Sequence, residues 1–401
     1  METQNPISPE KLAISEYETG EQLLSLLSGS DAQNMYLLPG HKRQLPQASK
    51  VSGRHIGFVS LSRQKEVIEY SAMDQVISLS LGLTLSEVAE IIAPNNQFLP
   101  LDADPDSTLF ELINNGEGGS WEHSFGGTRD LVLGTSIILS SGETVRTGGK
   151  VVKNVTGYDT TKLIVGGRMY FGIPIAAHLR LFAKPEWLYI FTYECDSLLT
   201  LLDQAAVLMQ SEIPLTSLDI KSDDQENCMM VVELAGHKSV VNELSKALAK
   251  LTNPNLILAS ENYAFSDRAH GRASRGKHHQ DSNIPPPLAV ELSTSLSEMR
   301  LVLTLLTDTF NKKFVVEIRP AAGRFSISFE SESEQKLFLS SLETLCNEGH
   351  LDCVVARSDA HFERIIEHFS ANKGSSPRPI IEALKNKFDS RAILNPLVSW
   401  A

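Results

Sequence analysis

Cysteine is scarce in this chain, with four residues among 401: Cys195, Cys228, Cys346 and Cys353. No two of them have C-x-x-C spacing. That excludes the common zinc and iron–sulfur signatures and a disulfide scaffold, so four free, reduced thiols and no metal are expected. Positive charge is also short: 36 Lys and Arg stand against 49 Asp and Glu, a net −13. An acidic balance of this size excludes general binding to nucleic acid or anionic membranes. No run approaches the ~18 apolar residues of a membrane-spanning helix, and the N-terminus lacks a basic, apolar leader. The expectation is a soluble, cytoplasmic chain without membrane insertion. No Ser-His-Asp grouping, P-loop or metal-ligand cluster stands out, so no catalytic residue is assigned.

What is present is ample apolar material. Hydrophobic residues make up 42% of the chain. A chain of 401 residues supports two or three packed domains. The densest local logic runs from Gly126 to Phe182. Leu131 to Leu139 is an apolar, β-branched run that reads as a buried strand. Ser140-Ser141-Gly142-Glu143 supplies a turn and Thr144 to Thr147 returns with alternation, so a hairpin is predicted. Thr160 to Val165 reads as a short helix ended by Gly166-Gly167, and Phe171 to Phe182 resumes a strand.

Upstream, Glu21 to Leu27 predicts a short helix, and Met35–Leu38, His55–Leu61 and Gln75–Leu81 are strand candidates. Thr84-Leu85-Ser86-Glu87 and Thr108-Leu109-Phe110-Glu111 are both capping boxes opening helices. Beyond Pro185 a β-α-β-β-α order appears twice, which predicts a two-unit α+β domain on one antiparallel sheet. Between those units, Asp267 to Asn283 gathers four basic side chains and three histidines. It reads as a mobile surface loop, with an anion-attracting lid as the alternative. Arg319 and Arg324 flank a glycine turn and read either as surface arginines or as contacts for an anionic ligand.

The segments GTRDLVLG (Gly127–Gly134), GGKVVKNVTGYD (Gly148–Asp159) and LRLFAKPE (Leu179–Glu186) carry a family resemblance. They resemble the FAD-binding PCMH-type fold of the vanillyl-alcohol oxidase superfamily, most closely the FAD-binding subunit of bacterial glycolate oxidase. The resemblance implies an α+β fold class: a PCMH-type FAD-binding domain with two α/β subdomains and a C-terminal α+β cap with an antiparallel sheet. The implied division is an N-terminal segment (1–30), the FAD-binding domain (31–185), the cap (186–375, with the basic loop 267–283) and a C-terminal segment returning to the FAD domain (376–401).

The resemblance also implies FAD as cofactor, a 2-hydroxy acid as substrate, and a second flavoprotein subunit and an iron–sulfur subunit as partners. Carried over residue by residue, the cofactor-binding candidates are Pro39, Gly40, His41, Lys42, Thr108, Gly118, Gly119, Gly127, Thr128, Asp130, Gly166, Gly172, Ile173 and Asn395. Three phosphate-facing segments depart from the family pattern. Pro39-Gly40-His41-Lys42-Arg43 keeps one glycine. Phe110-Glu111 stands where two glycines are usual, and the Glu111 carboxylate would turn back on the helix end that a pyrophosphate needs. Met169-Tyr170-Phe171 fills the usually small middle of the third segment. Two functional readings follow: a flavin-dependent oxidoreductase subunit, or a flavin-poor or flavin-free homologue acting as a structural subunit of such a complex.

Overall fold

The computed structural model describes residues 14–29, 32, 35–40, 55–116, 118–150, 159–222, 228–251, 257–264, 288–310, 314–329, 331–348, 350–351, 353–359, 364–369, 378–396 and 398–400. The chain divides into two compact units. The first comprises Met1–Gly119, Phe125–Ala183 and Pro377–Val398, and the second Ser120–Ser124, Lys184–Ser376 and Ser399–Ala401.

In the first unit, β1 (Ile14–Tyr17), β2 (Met35–Pro39) and β3 (His55–Val59) form a parallel sheet in the order β1-β3-β2. The helix α1 (Gly20–Ser28) is capped by Thr19 and packs Leu23 and Leu27 inward at helical spacing. Five antiparallel strands follow: β4 (Val67–Ser71), β5 (Val76–Ser80), β7 (Val132–Ile138), β8 (Thr144–Gly148) and β9 (Ile173–Arg180), ordered β4-β5-β9-β7-β8. A short pair, β6 (Gln97–Phe98) and β10 (Phe182–Ala183), stands beside them in the chain order.

The helices α2 (Leu85–Ile92) and α3 (Leu109–Asn115) start at the two capping boxes, with both reciprocal bonds made. The short helices α5 (Thr128–Leu131) and α6 (Thr161–Ile164) flank the hairpin in the chain, while α4 (Glu122–Phe125) lies almost wholly in the second unit. The β7–β8 hairpin is fixed by more than its turn. A chain of buried hydroxyls links its two strands to α6, Thr135 to Thr147 at 2.8 Å and Thr147 to Thr161 at 3.1 Å.

In the second unit, one sheet of ten strands holds both predicted halves. Its strands are β11 (Trp187–Cys195), β12 (Ser217–Ser222), β13 (Cys228–Gly236), β14 (Ile257–Ala264), β15 (Leu288–Thr294), β16 (Val315–Arg319), β17 (Arg324–Ser328), β18 (Cys353–Asp359), β19 (Arg364–Phe369) and β20 (Val398–Trp400). Their order is β14-β11-β13-β12-β16-β17-β15-β18-β19-β20. The halves join where β12 pairs antiparallel with β16, Ile220 opposite Ile318. The helices α7 (Leu198–Met209), α8 (Lys238–Lys250), α9 (Leu296–Phe310) and α10 (Glu332–Asn347) share one apolar core with alternate strand residues such as Tyr193, Ile220, Val232, Ile318 and Phe325.

The last helix, α11 (Arg378–Phe388), and the segment after it belong to the first unit. Leu37 N–H donates to Ile393 O at 2.8 Å and Asn395 N–H to Leu37 O at 2.9 Å, so Ile393–Asn395 runs parallel to β2. Lys385 ties this return down. Its ammonium donates to Tyr170 O and Leu394 O, both at 2.7 Å, and pairs at 2.9 Å with Asp389, whose side chain is fully buried. Asp389 in turn accepts the backbone N–H groups of Ile393 and Leu394. Among the described residues no helix is long and apolar enough to cross a membrane.

Candidate functional site

Of the sequence candidates in the first unit, Gly166 and Asn395 meet at a node built on a residue that was not among them, Asn114. It sits in the last turn of α3 and is 1% exposed. Its Nδ2 donates to Phe110 O at 2.9 Å, which fixes its amide orientation. Its Oδ1 accepts Met169 N–H at 3.0 Å, and its backbone carbonyl accepts Arg168 N–H at 3.0 Å. Gly166 N–H donates to Ile113 O at 2.8 Å. Asn395 reaches the same turn, its Nδ2 donating to Arg168 O at 2.6 Å. Thus α3, the turn Gly166–Gly172 and Asn395 form one hydrogen-bonded node. An Asn two residues before a left-handed Gly116 was its local sign.

The node is closely packed. A Cβ on Gly116 (φ +71°) would lie 3.0 Å from Gly166 Cα. Met169 and Phe171 are buried rather than facing a ligand space, and Arg168 and Met169 both adopt positive φ. Gly172 faces Ile137, and Ile173 is fully buried as the first residue of β9. Gly119 (φ +77°) packs on Asp102, where a Cβ would come within 2.3 Å of a carbonyl oxygen, and Gly118 O accepts Asp102 N–H at 3.3 Å. Gly127 N–H donates to Asp130 at 3.1 Å, so Asp130 caps α5 while Thr128 is buried in its first turn. Pro39 ends β2, and Gly40 N–H donates to Val59 O. His41, Lys42 and Arg43, like Lys153, Asn154, Gly157, Tyr158 and the basic loop 267–283, lie outside the described residues.

A pyrophosphate needs unspent backbone donors. At the start of α3 they are engaged. Leu109 N–H donates to Leu83 O at 2.9 Å, Phe110 N–H to Leu81 O at 2.8 Å, and Glu111 N–H to Thr108 Oγ1 at 3.2 Å. Glu111 Oε2 accepts Thr108 N–H at 2.9 Å. The third segment fails the same test, since the N–H groups of Gly166, Arg168, Met169 and Tyr170 all have partners inside the unit. These two segments therefore do not fit a pyrophosphate. Open approach remains at Gly149, where an added Cβ would meet nothing within 4 Å.

The second unit carries a polar group on the sheet face opposite its helices. Ser217, Asp219 and Lys221 alternate along β12, Glu233 lies opposite Ser217 on β13, and Glu317 lies opposite Lys221 on β16. The segment Ser120–Ser124 belongs to this unit. Trp121 Nε1 donates to Glu233 at 2.9 Å and Ser124 Oγ to Leu215 O at 2.6 Å. Arg319 bonds Glu317 at 3.2 Å and Arg324 pairs with Glu122 at 3.2 Å, so both arginines singled out in the sequence already hold carboxylates.

Asp219 is 1% exposed, its carboxylate buried with the Ser120 hydroxyl beside it. Burial pushes its pKa up to about 7; the Ser120 hydroxyl, Arg319 and Lys221 oppose the shift and Glu317 adds to it. His123, within the segment Ser120–Ser124, is held below its usual range by burial. The group can hold a proton near neutrality. Among the described residues no cluster of three or more His, Cys, Asp or Glu is arranged to hold a metal.

Comparison with known proteins places the first unit. Residues 45–148 match the family model of an FAD binding domain. Glycolate oxidase subunit GlcD of Bacillus subtilis is 32% identical over 123 residues, 30% of this chain and 26% of that protein. D-2-hydroxyglutarate dehydrogenase of Stutzerimonas stutzeri is 24% identical over 208 residues, 51% of this chain and 44% of its own length. Glycolate oxidase subunit GlcE of Escherichia coli is 29% identical over 123 residues, 30% of this chain and 35% of that protein. The matches therefore span less than half the length of these relatives. Among solved structures, an alkyldihydroxyacetonephosphate synthase superposes over 96% of this chain and 75% of its own, with TM-score 0.65 at 14% identity, a likeness of fold. Residues 45–148 are thus similar to an FAD binding domain, and this match supports FAD binding.

Proposed function

We propose that this chain is an FAD-dependent oxidoreductase, or the FAD-binding subunit of one, that oxidises a small 2-hydroxy acid. The observation that carries the reading is the FAD binding domain match over residues 45–148, together with relatives named as glycolate oxidase subunits and D-2-hydroxy acid dehydrogenases. Bound FAD supplies the electron-accepting chemistry, and the protein supplies binding and orientation. Partners of the kind implied by a glycolate oxidase subunit, a second flavoprotein and an iron–sulfur protein, complete the proposal.

The test is the visible spectrum of freshly purified protein, with cofactor extraction. Flavin absorbance that survives gel filtration, with FAD in the extract, is the expected result. A colourless protein that refuses added FAD overturns it.

A second reading is favoured by one observation, the donors at the α3 N-terminus that are already engaged. In this reading the chain is a flavin-poor structural subunit. A colourless protein that retains a separate flavoprotein on an affinity column supports it.

A further inference from the structure

Cys346 and Cys353 failed the C-x-x-C test in the sequence, yet the fold brings them together. Cys346 lies in the last turn of α10, and Cys353 is the first residue of β18. The chain folds back between helix and strand, and the two sulfurs stand 3.8 Å apart. Both side chains are buried in the core of the second unit, at 2% and 3% exposure. The other two thiols are differently placed: Cys195 Sγ bonds Ser197 O and Cys228 Sγ lies near Ser222 Oγ.

A disulfide needs a sulfur separation of about 2.05 Å. Closing the present gap asks for a movement of under ~2 Å, within reach of a side-chain adjustment at a helix end. A metal reading lacks ligands, because no third His, Cys, Asp or Glu completes a site among the described residues. An oxidised pair needs only the two sulfurs. Cys346 is in the terminal turn of its helix, the part of a helix that opens most readily.

We propose that Cys346 and Cys353 form a dithiol modification site that a hydroperoxide closes to an intramolecular disulfide and a thiol reductant reopens. One sulfur attacks the peroxide, the O–O bond breaks, and a sulfenic acid and one water (or alcohol) form. The second sulfur then attacks the sulfenic sulfur, the S–S bond forms, the S–O bond breaks and water leaves with the second thiol proton. Two thiols lose two electrons in total and the peroxide gains them. The site is independent of the flavin reading.

The experiment uses the full chain, freed of reductant, treated with hydrogen peroxide while folded, then blocked with an alkylating agent and digested without reduction. The expected result is a cross-linked peptide pair joining Cys346 to Cys353. The free thiols fall from the four in the sequence by two, and dithiothreitol restores them. Cys353→Ser removes the cross-link and leaves Cys346 trappable by dimedone. Because Cys353→Ser alters a core position, Cys195→Ser/Cys228→Ser serves as the second variant, and it must still form the bond. Three results overturn the proposal: a cross-link through Cys195 or Cys228 instead, a pair that stays reduced while the partly buried Cys195 oxidises, or a cross-link that appears only in urea-unfolded protein.

Discussion

At the residue scale, buried charge gives two sharp tests. Lys385 neutralises Asp389 in the C-terminal return, at 2.9 Å, and burial lowers the Lys385 pKa while Asp389 raises it. Removing one partner of a buried pair leaves the other uncompensated, at a cost of about 3–5 kcal/mol. Lys385→Met is expected to destabilise by about that amount, read as a lower urea midpoint with an unchanged slope. Asp219 gives a pH test. Its folded pKa is about 7 against an ordinary 3.8, so between these values the folded state holds more protons than the unfolded state. Its contribution is therefore full below about pH 4, falls as pH rises to about 7, and is flat above. Asp219→Asn removes that fall. The difference in unfolding free energy between variant and parent should shift in the variant's favour by up to roughly 4 kcal/mol from pH 4 to pH 8. A difference that stays constant across that range would show that Asp219 does not titrate with folding.

At the element scale, local rules and tertiary contacts divide the work. The capping boxes at Thr84 and Thr108 form as the spacing requires, because a cap needs only residues three apart in the chain. Thr108→Ala should cost about 1 kcal/mol by unpairing the start of α3, checked by chemical denaturation. The hairpin turn was also legible, but the reason its end is glycine was not. Gly148 has φ +66°, and a Cβ there would lie 2.2 Å from Leu133 O. Gly148→Ala combines strain with a backbone clash, and a loss of at least ~2 kcal/mol is expected in a melting curve. Strands β1 and β4 escaped the sequence reading because neither carries a clear apolar run: β1 reads ISEY, and β4, VIEYS, has no buried residue. Likewise, the two β-α-β-β-α units were readable one by one. Their union on one antiparallel sheet was expected, but the strands that join them, β12 and β16, were not identified, since strand pairing between segments almost a hundred residues apart leaves no local mark.

At the scale of the whole molecule, the flavoprotein reading makes a thermodynamic prediction. A ligand that binds only the folded state raises stability by about 2.7 kcal/mol at a hundredfold excess over its dissociation constant. Titrating FAD into the purified chain should raise the thermal midpoint in proportion to the logarithm of its concentration. A midpoint indifferent to FAD, with riboflavin as the control, fits the structural-subunit reading instead.

By itself the sequence determined the helix starts, the hairpin, the α+β class and the resemblance to a flavin-binding domain. These rest on periodicity, on i to i+3 capping and on contiguous motif segments, all short-range. The tertiary structure alone decided three further things. It made Asn114 the hub of the node, it engaged the phosphate-facing donors of α3 with Leu81 and Leu83, and it set Cys346 against Cys353. Each depends on where a backbone group meets a residue distant along the chain or across a turn, and that is fixed by packing and strand register rather than by the identity of neighbouring residues.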